Sequence, residues 1–167
     1  MPLTPFHLGP ASAFGLLFNR FINLTAFVLA SVIIDIEPFV VLVFNLDYPL
    51  HGFFHSFLGG SVVAVVLSLT IIALSDKIRK LTGFFRIKQN FSKKAVWAAS
   101  FSGIYLHILF DAPLYADIMP FYPLDSNPFY GILSRGAMYD ACAVLLLIGI
   151  SMYLFMLFKG KMKKGSV

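Results

Sequence analysis

The stretch "SVVAVVLSLTIIAL", residues 61–74, contains fourteen residues and not one charge. Similar apolar runs recur along the chain, which is 167 residues long, 59% hydrophobic and only 13% charged. Its mean hydropathy is +0.84. A soluble domain of this length cannot cover so much apolar side chain, because small domains expose a large share of their surface. The composition therefore predicts a polytopic membrane protein built of α-helices.

Outward from this run, the pattern predicts five helical segments, near residues 5–18, 21–45, 54–74, 94–116 and 138–158. The first is too short to span a membrane alone, since a spanning helix needs about 20 residues, so we expect a re-entrant or tilted helix there. The expected fold class is all-α: a multi-pass transmembrane helical bundle with about four spanning helices plus this short N-terminal helix. The sequence contains no internal repeat, so we expect residues 1–167 to form a single integral membrane domain.

Basic residues are concentrated in two places, a loop at 77–94 and a tail at 159–167. The loops between the other helix ends carry Asp47, Asp117 and Asp125 and almost no bases. The positive-inside rule predicts that the basic loop and the tail are cytoplasmic and that the acidic loops face outward from a cytoplasmic (inner) membrane. Such bases are typical of orientation signals and of contacts with membrane lipids, so we expect no nucleic-acid partner.

Ionisable side chains inside membrane segments are costly, and by default they indicate function. With a rise of about 1.5 Å per residue, four separate segments bring such side chains to the outer half of the membrane, roughly 20–30 Å from the basic side. Convergence at one depth favours a shared site near the outer face over a random scatter. The side chains are His7, Asp35, Glu37, His55, His107 and Asp111, with His51 at the membrane boundary.

Local spacing agrees with a shared site. His107 and Asp111 are four residues apart, which places them on one helix face, one turn from each other. Pro38 disfavours the helical conformation at Glu37, so a break there could turn Asp35 and Glu37 inward. Imidazole nitrogens and carboxylate oxygens together are the ligand set of zinc, manganese or iron. The cluster therefore predicts a divalent transition metal, zinc foremost, bound as one or two ions.

Each feature also has a simpler interpretation. The pair His107 and Asp111 is equally typical of a hydrogen bond between membrane helices, and the pair His51 and His55 lacks the glutamate of a zincin motif. Ser56 is a candidate nucleophile, but its position before an apolar helix is more typical of an N-cap. Two other classes stay open. One is an ion, proton or metal transporter that uses the same His/Asp cluster, and the other is a haem protein with paired axial histidines.

Four motifs resemble those of a known family: "TPFHLGPA", "SVIIDIEPF", "HGFFHSFLG" and "LHILFDAPL", in this order over about residues 1–115. They are similar to the motifs of the YdjM-type inner-membrane proteins (the DUF457 group), which are described as membrane-bound metal-dependent hydrolases. The chain departs from the family pattern at Gly52, where the family has arginine, at Phe54 in place of threonine, and at Ile34 in place of proline. The resemblance implies that the metal site falls on His7, Asp35, Glu37, His51, His55, His107 and Asp111.

These observations together favour a membrane-embedded metal-dependent hydrolase that acts near the outer leaflet. A metal-activated water would attack an ester or phosphoester of a lipid or lipid-linked substrate. Asp35 and Glu37 are the expected catalytic carboxylates, with Glu37 either a general base or a partner that orients a ligating histidine. The expected metal ligands are His7, Asp35, His51, His55, His107 and Asp111.

Overall fold

The computed structural model describes residues 6–85 and 89–162, and within these ranges every regular element is a helix. The predicted all-α fold class is confirmed for this part of the chain. The predicted basic tail, 159–167, lies mostly outside the described residues, as do 86–88 of the basic loop and the first residues of the chain. In chain order the helices are α1 (Leu8–Leu17), α2 (Leu24–Ile33), α3 (Ile36–Val43), α4 (Phe57–Ala73), α5 (Ser75–Gly83), α6 (Lys93–Asp111) and α7 (Arg135–Met162), with a 3-10 turn at Phe53–His55 before α4.

Two helical stretches are long and apolar enough to cross a membrane: Leu24–Val43, which joins α2 and α3, and Arg135–Lys159 within α7. Helices α4 and α5, which are bent by 75° relative to each other, would form a third span if they crossed the membrane as one broken helix. Helix α6 is 19 residues long but less apolar, because it begins with two lysines and ends with His107 and Asp111. The described residues therefore support membrane residence with two or three spans. The predicted bundle of four spanning helices is not confirmed.

The predicted interruption of the second segment lies at Asp35, which with Ile34 separates α2 from α3. Pro38 stands in the first turn of α3, where a backbone N–H has no helical partner and its absence costs little. At the other end of α3, Asn45 adopts a left-handed conformation with φ of 48°, which asparagine tolerates better than most residues. The break places Asp35 beside His107 near the end of α6, and Glu37 beside His55 in the turn before α4.

Helix α6 lies at the centre of the bundle, in contact with α2 and α4, while α1 contacts α2 and α7. Small residues permit these contacts, as is usual between membrane helices. A Cβ added at Gly103 of α6 would lie 2.6 Å from the Ala30 Cβ, and one added at Gly60 of α4 would lie 2.7 Å from Ile104. The buried core between these helices includes Ala26, Phe27, Ala30, Ile34, Ala64, Val96, Ala99, Ile104 and Ile108.

Helix α7 lies at the periphery and joins the bundle mainly through α1. A Cβ added at Gly9 of α1 would collide with the carbonyl oxygen of Cys142, so the two helices touch at backbone level. Only 11% of the apolar window of α7 is buried. Most of its surface is therefore free to face lipid.

Polar caps fix the starts of several helices, α2 and α4 among them. Ser56 accepts a hydrogen bond from the Gly59 backbone N–H at 2.9 Å, so its N-cap interpretation is confirmed. Asn23 accepts from the Ala26 N–H at 2.9 Å at the start of α2. The amide of Asn23 also donates to the carbonyl of Asn90 at 3.0 Å, which ties α2 to the segment before α6. These bonds fix where each helix begins, and hence the height of its side chains along the bundle.

Candidate metal centre

Two groups of potential metal ligands meet at the end of the bundle where α6 terminates. In the first, one ligand atom each from His7, Asp35, His107 and Asp111 lies within 4.8 Å of every other. In the second, the same holds for His51, His55 and Asp111. Asp111 belongs to both groups. The ligands come from the start of α1, the break between α2 and α3, the turn before α4 and the end of α6.

The first group is organised around the Asp111 carboxylate. Its Oδ1 lies 3.2 Å from His7 Nε2, and its Oδ2 lies 3.2 Å from His107 Nε2. Asp35 Oδ1 lies 3.5 Å from the same His107 nitrogen. The rings of His7 and His107 stack with their centroids 3.8 Å apart. Two imidazoles and two carboxylates thus point their ligand atoms at a common region.

The tautomer of His107 follows from the contact that its Nδ1 makes. His107 Nδ1 lies 2.8 Å from the Ser31 carbonyl oxygen, and because a carbonyl can only accept, Nδ1 carries the proton and donates. In the neutral ring Nε2 is then unprotonated, and its lone pair faces Asp35 and Asp111. A lone pair opposite two carboxylates is repulsive unless a positive charge lies between them, and a proton or a metal ion supplies one.

The second group repeats this arrangement. His55 Nδ1 donates to Glu37 Oε2 at 2.7 Å, and the Phe54 backbone N–H donates to the other oxygen of Glu37 at 3.2 Å. His51 Nδ1 lies 3.1 Å from both carboxylate oxygens of Asp117, which also accepts from the His51 backbone N–H at 3.0 Å. A histidine held by a carboxylate on one nitrogen, with the other nitrogen free, is the usual form of a ligating histidine.

Burial makes the cluster costly without a cation. His55 is 0% exposed, His107 1%, and His7 and Asp111 3% each. Buried ionisable groups in a membrane protein require partners. Among the described residues, the buried ligand atoms His7 Nε2, Asp35 Oδ2, His55 Nε2 and His107 Nε2 have no hydrogen-bond partner. The donor set of imidazole nitrogen and carboxylate oxygen fits a divalent transition metal such as zinc.

Six of the seven residues singled out in the sequence fall into the two groups, and Glu37 does not. Glu37 instead holds His55, which agrees with the predicted alternative that it orients a ligating histidine. Two contributors were not predicted. Asp117 holds the ring of His51. The ring of Tyr115 packs against that of His51, with their centroids 4.2 Å apart. Asp117 had only one signal in the sequence, its place among the few acids of the outer loops.

No known protein family, curated protein or solved structure matches this chain. The functional argument therefore rests on the geometry of the cluster.

Proposed function

We propose that the chain is a membrane-embedded metal-dependent hydrolase that holds one or two divalent metal ions, zinc foremost. One observation carries the proposal. His55 and His107 are each fixed through Nδ1. Among the described residues the buried Nε2 of His55 has no hydrogen-bond partner, and the buried Nε2 of His107 faces Asp111 and Asp35 at 3.2 and 3.5 Å without an aligned hydrogen bond. Fixed and desolvated nitrogens of this kind are what a ligating histidine requires. A stabilising hydrogen-bond network between helices would instead give His55 Nε2 a partner.

Asp111 supports a two-ion form of the site. It is the member common to both groups, with a ligand atom within 4.8 Å of those of His51 and His55 as well as of the first group. Asp111 would help to hold one ion with His7, Asp35 and His107, and a second ion with His51 and His55. Two-metal hydrolytic sites place their ions about 3.5–4 Å apart and clamp both oxygens of a displacement reaction.

A bound divalent transition metal lowers the pKa of water to near neutrality and polarises a carbonyl or phosphoryl oxygen. The protein's own contribution starts with Asp35, whose side chain is 14% exposed, against 4% for Asp111. One oxygen of Asp35 has no hydrogen-bond partner among the described residues, so it is available to accept the proton of an attacking water. Glu37 acts indirectly, since both of its oxygens hold the segment that carries His55.

The surroundings of the cluster support a lipid or lipid-linked substrate. The chain that follows α6 exposes large apolar side chains at the same end of the bundle, among them Phe121 at 44%, Tyr122 at 44% and Leu124 at 64%. Phe53, next to the second ligand group, contacts Tyr122 with ring centroids 5.5 Å apart. Exposed aromatic side chains of this kind lie at the headgroup level of a bilayer. An ester or phosphoester at that depth is within reach of the site, near the outer leaflet of a cytoplasmic membrane in the proposed orientation.

The proposal is tested on protein purified in a neutral detergent after growth with zinc. We expect one or two transition-metal ions per chain by mass spectrometry of the elements, and hydrolysis of fluorogenic phosphoester or ester lipids in mixed micelles. Asp35→Asn should remove hydrolysis, and Asp47→Asn, the same change at an exposed outer position, should not. Protein without bound transition metal, or equal activity in the two variants, would show the proposal to be wrong.

A metal, ion or proton transporter is the second candidate, favoured by one observation. Ser68 and Ser100 are fully buried further along α4 and α6, and their hydroxyl oxygens have no hydrogen-bond partner among the described residues. Buried polar groups between the cluster and the basic end are what an ion path requires. Flux of zinc or protons into proteoliposomes, abolished by Asp35→Asn, would favour this candidate over the hydrolase.

A further inference from the structure

Two adjoining cavities lie at the basic end of the bundle, far from the His/Asp cluster. The larger, of about 590 Å³, is lined by polar and basic side chains that include Arg79, Asn90 and Ser92. The smaller, of about 220 Å³, is lined mainly by apolar side chains. Thr82 and Gln89 line both cavities, so the two form one region with a polar part and an apolar part.

Hydrogen bonds fix the wall between the two parts. Gln89 Oε1 accepts from both the backbone N–H and the hydroxyl of Thr25, each at 2.9 Å. The Asn90 amide donates to the carbonyl of Arg20 at 3.1 Å, and the Asn90 carbonyl accepts from Asn23 at 3.0 Å. The wall is therefore a built element that ties the segment before α6 to the start of α2.

The polar part is lined by one base, Arg79, within a basic stretch of the sequence. The Arg79 guanidinium lies 4.9 Å from the centre of the Phe91 ring, a cation–π distance that positions the side chain at the cavity wall. A further cavity of about 350 Å³ beside it is lined by Arg20, Gln89 and Asn90. Residues 75–94 carry seven lysines and arginines in the sequence, against one acid, Asp76. An anionic group is thus the fitting occupant of the polar part.

The apolar part opens to the outside of the bundle. Leu24, Val28 and Leu29 of α2 line it together with Phe85. Leu29 is 39% exposed and Phe85 51%, so the apolar part is accessible from outside the bundle. A soluble anion would leave these side chains uncovered, whereas an acyl chain attached to the anion would cover them.

Helix α5 supports the same occupant. It turns 75° away from α4, and none of its nine residues, all of which the structure describes, is buried. Leu81 is 72% exposed and Phe84, just beyond the helix, 85%. Exposed apolar side chains beside Lys77, Arg79 and Lys80 are typical of a helix that lies in the headgroup region of a membrane.

We propose that this region binds a single anionic phospholipid, with its phosphate against Arg79 in the polar part and an acyl chain along Leu24, Val28 and Leu29 in the apolar part. The site is independent of the metal centre. The 19 residues of α6 separate the two ends of the bundle, a length of roughly 28 Å. The lipid would come from the leaflet that the basic residues face.

The test uses the full chain in a neutral detergent, titrated with phosphatidylglycerol or phosphatidylcholine and analysed by native mass spectrometry. We expect one phosphatidylglycerol to bind more tightly than phosphatidylcholine, and Arg79→Gln to weaken its binding by about tenfold, as expected for a charge-assisted hydrogen bond. The matched control is Lys77→Gln, an exposed base on the same helix that does not line the cavity. It should change binding by less than about twofold, as for a screened surface charge.

Three results would overturn the proposal. Equal loss in the Arg79 and Lys77 variants would indicate general surface attraction without a built site. Equal binding of the two lipids would show that the anionic headgroup is not recognised. Displacement of phosphatidylglycerol by inorganic phosphate at matched concentration would indicate a site for a soluble anion. Arg79 is exposed, so its substitution should leave the fold and the metal content of the distant cluster unchanged.

Discussion

Substitution of Asp111 by asparagine is the most informative perturbation of the metal centre, because Asp111 is common to both ligand groups. The amide keeps the shape of the carboxylate but replaces a charged acceptor with a neutral group whose nitrogen only donates. In the wild type its two oxygens face His7 and His107 at 3.2 Å each. Because Asp111 also belongs to the group of His51 and His55, the change should weaken the binding of both ions, whereas loss of Asp35 or His51 should weaken one.

The size of the effect follows from the loss of one charged contact to each ion. A hydrogen-bonding contact to a charged group contributes about 1.5–3 kcal/mol, and Asp111 would make one such contact with each ion. Each ion should then bind about 10- to 100-fold more weakly, since about 1.4 kcal/mol corresponds to a factor of ten.

The weaker zinc binding can be measured as a smaller rise of Tm in thermal unfolding. Zinc at a hundred times its dissociation constant stabilises the wild-type fold by about 2.7 kcal/mol. A chain of this size gains roughly 2–4 °C per kcal/mol, so zinc should raise the wild-type Tm by about 5–10 °C. At the same zinc concentration, a variant with 100-fold weaker binding should gain only about 1 °C.

The effect should depend on metal. In chelator no ion is bound, so the gain in Tm that zinc gives should be absent from both chains. Asp111→Asn should therefore respond weakly to added zinc, whereas the wild type should respond strongly. Asp125→Asn, the same change at an exposed position, should follow the wild type in both conditions. If the Asp111 variant retains the wild-type metal content and the wild-type response to zinc, the assignment of Asp111 as a shared ligand is wrong.

Three further changes probe other parts of the molecule. Glu37→Gln should weaken zinc binding about 10- to 100-fold without abolishing it, because it loosens His55 but removes no ligand, as a zinc titration would measure. Asn23→Ala should destabilise the fold by about 1–3 kcal/mol in thermal unfolding, because it removes a buried N-cap and the bond to the segment before α6. Gly103→Leu should cost about 1–3 kcal/mol or prevent folding, since even a Cβ would lie 2.6 Å from that of Ala30.

Controls separate these effects from general damage. Gly136→Leu places the same side chain where a Cβ meets nothing within 4 Å, so its unfolding temperature should stay near that of the wild type. Asn23→Ala should leave zinc content unchanged, because its contacts lie at the basic end of the bundle. A Glu37 variant with unchanged zinc affinity would contradict the role assigned to the hydrogen bond to His55.

Part of the candidate site was predictable because helices rise by a fixed length per residue. Counting from the charged boundaries was enough to place His7, Asp35 and His107 at one depth. Asp111 followed from its four-residue spacing to His107 on the same face. The structure brings these four together. The break lies at Ile34 and Asp35, whereas Pro38 predicted it at Glu37, which is in fact helical in the first turn of α3.

The remaining features depend on contacts that sequence spacing does not encode. His51 reaches the cluster because the chain before α4 folds back and Asp117, 66 residues away, holds its ring. No local pattern links those two positions. Helix α5 was missed because nine residues of mixed polarity give no spanning signal, and the direction of a bend depends on tertiary contacts. The predicted four spans are not confirmed, because α6 combines helical length with polar side chains that the assembled bundle buries.

The distribution of the ligands along the chain has a consequence for biogenesis. Membrane helices enter the bilayer in order, but the first ligand group is complete only after residue 111 has joined residues 7 and 35. The ion would therefore act late, as a cross-link that closes long loops in an already inserted chain, and the entropy of those loops would set part of its affinity. All the ligands precede α7. A nascent chain could thus acquire its metal while its last helix is still being made, which links the timing of metal supply to the timing of synthesis.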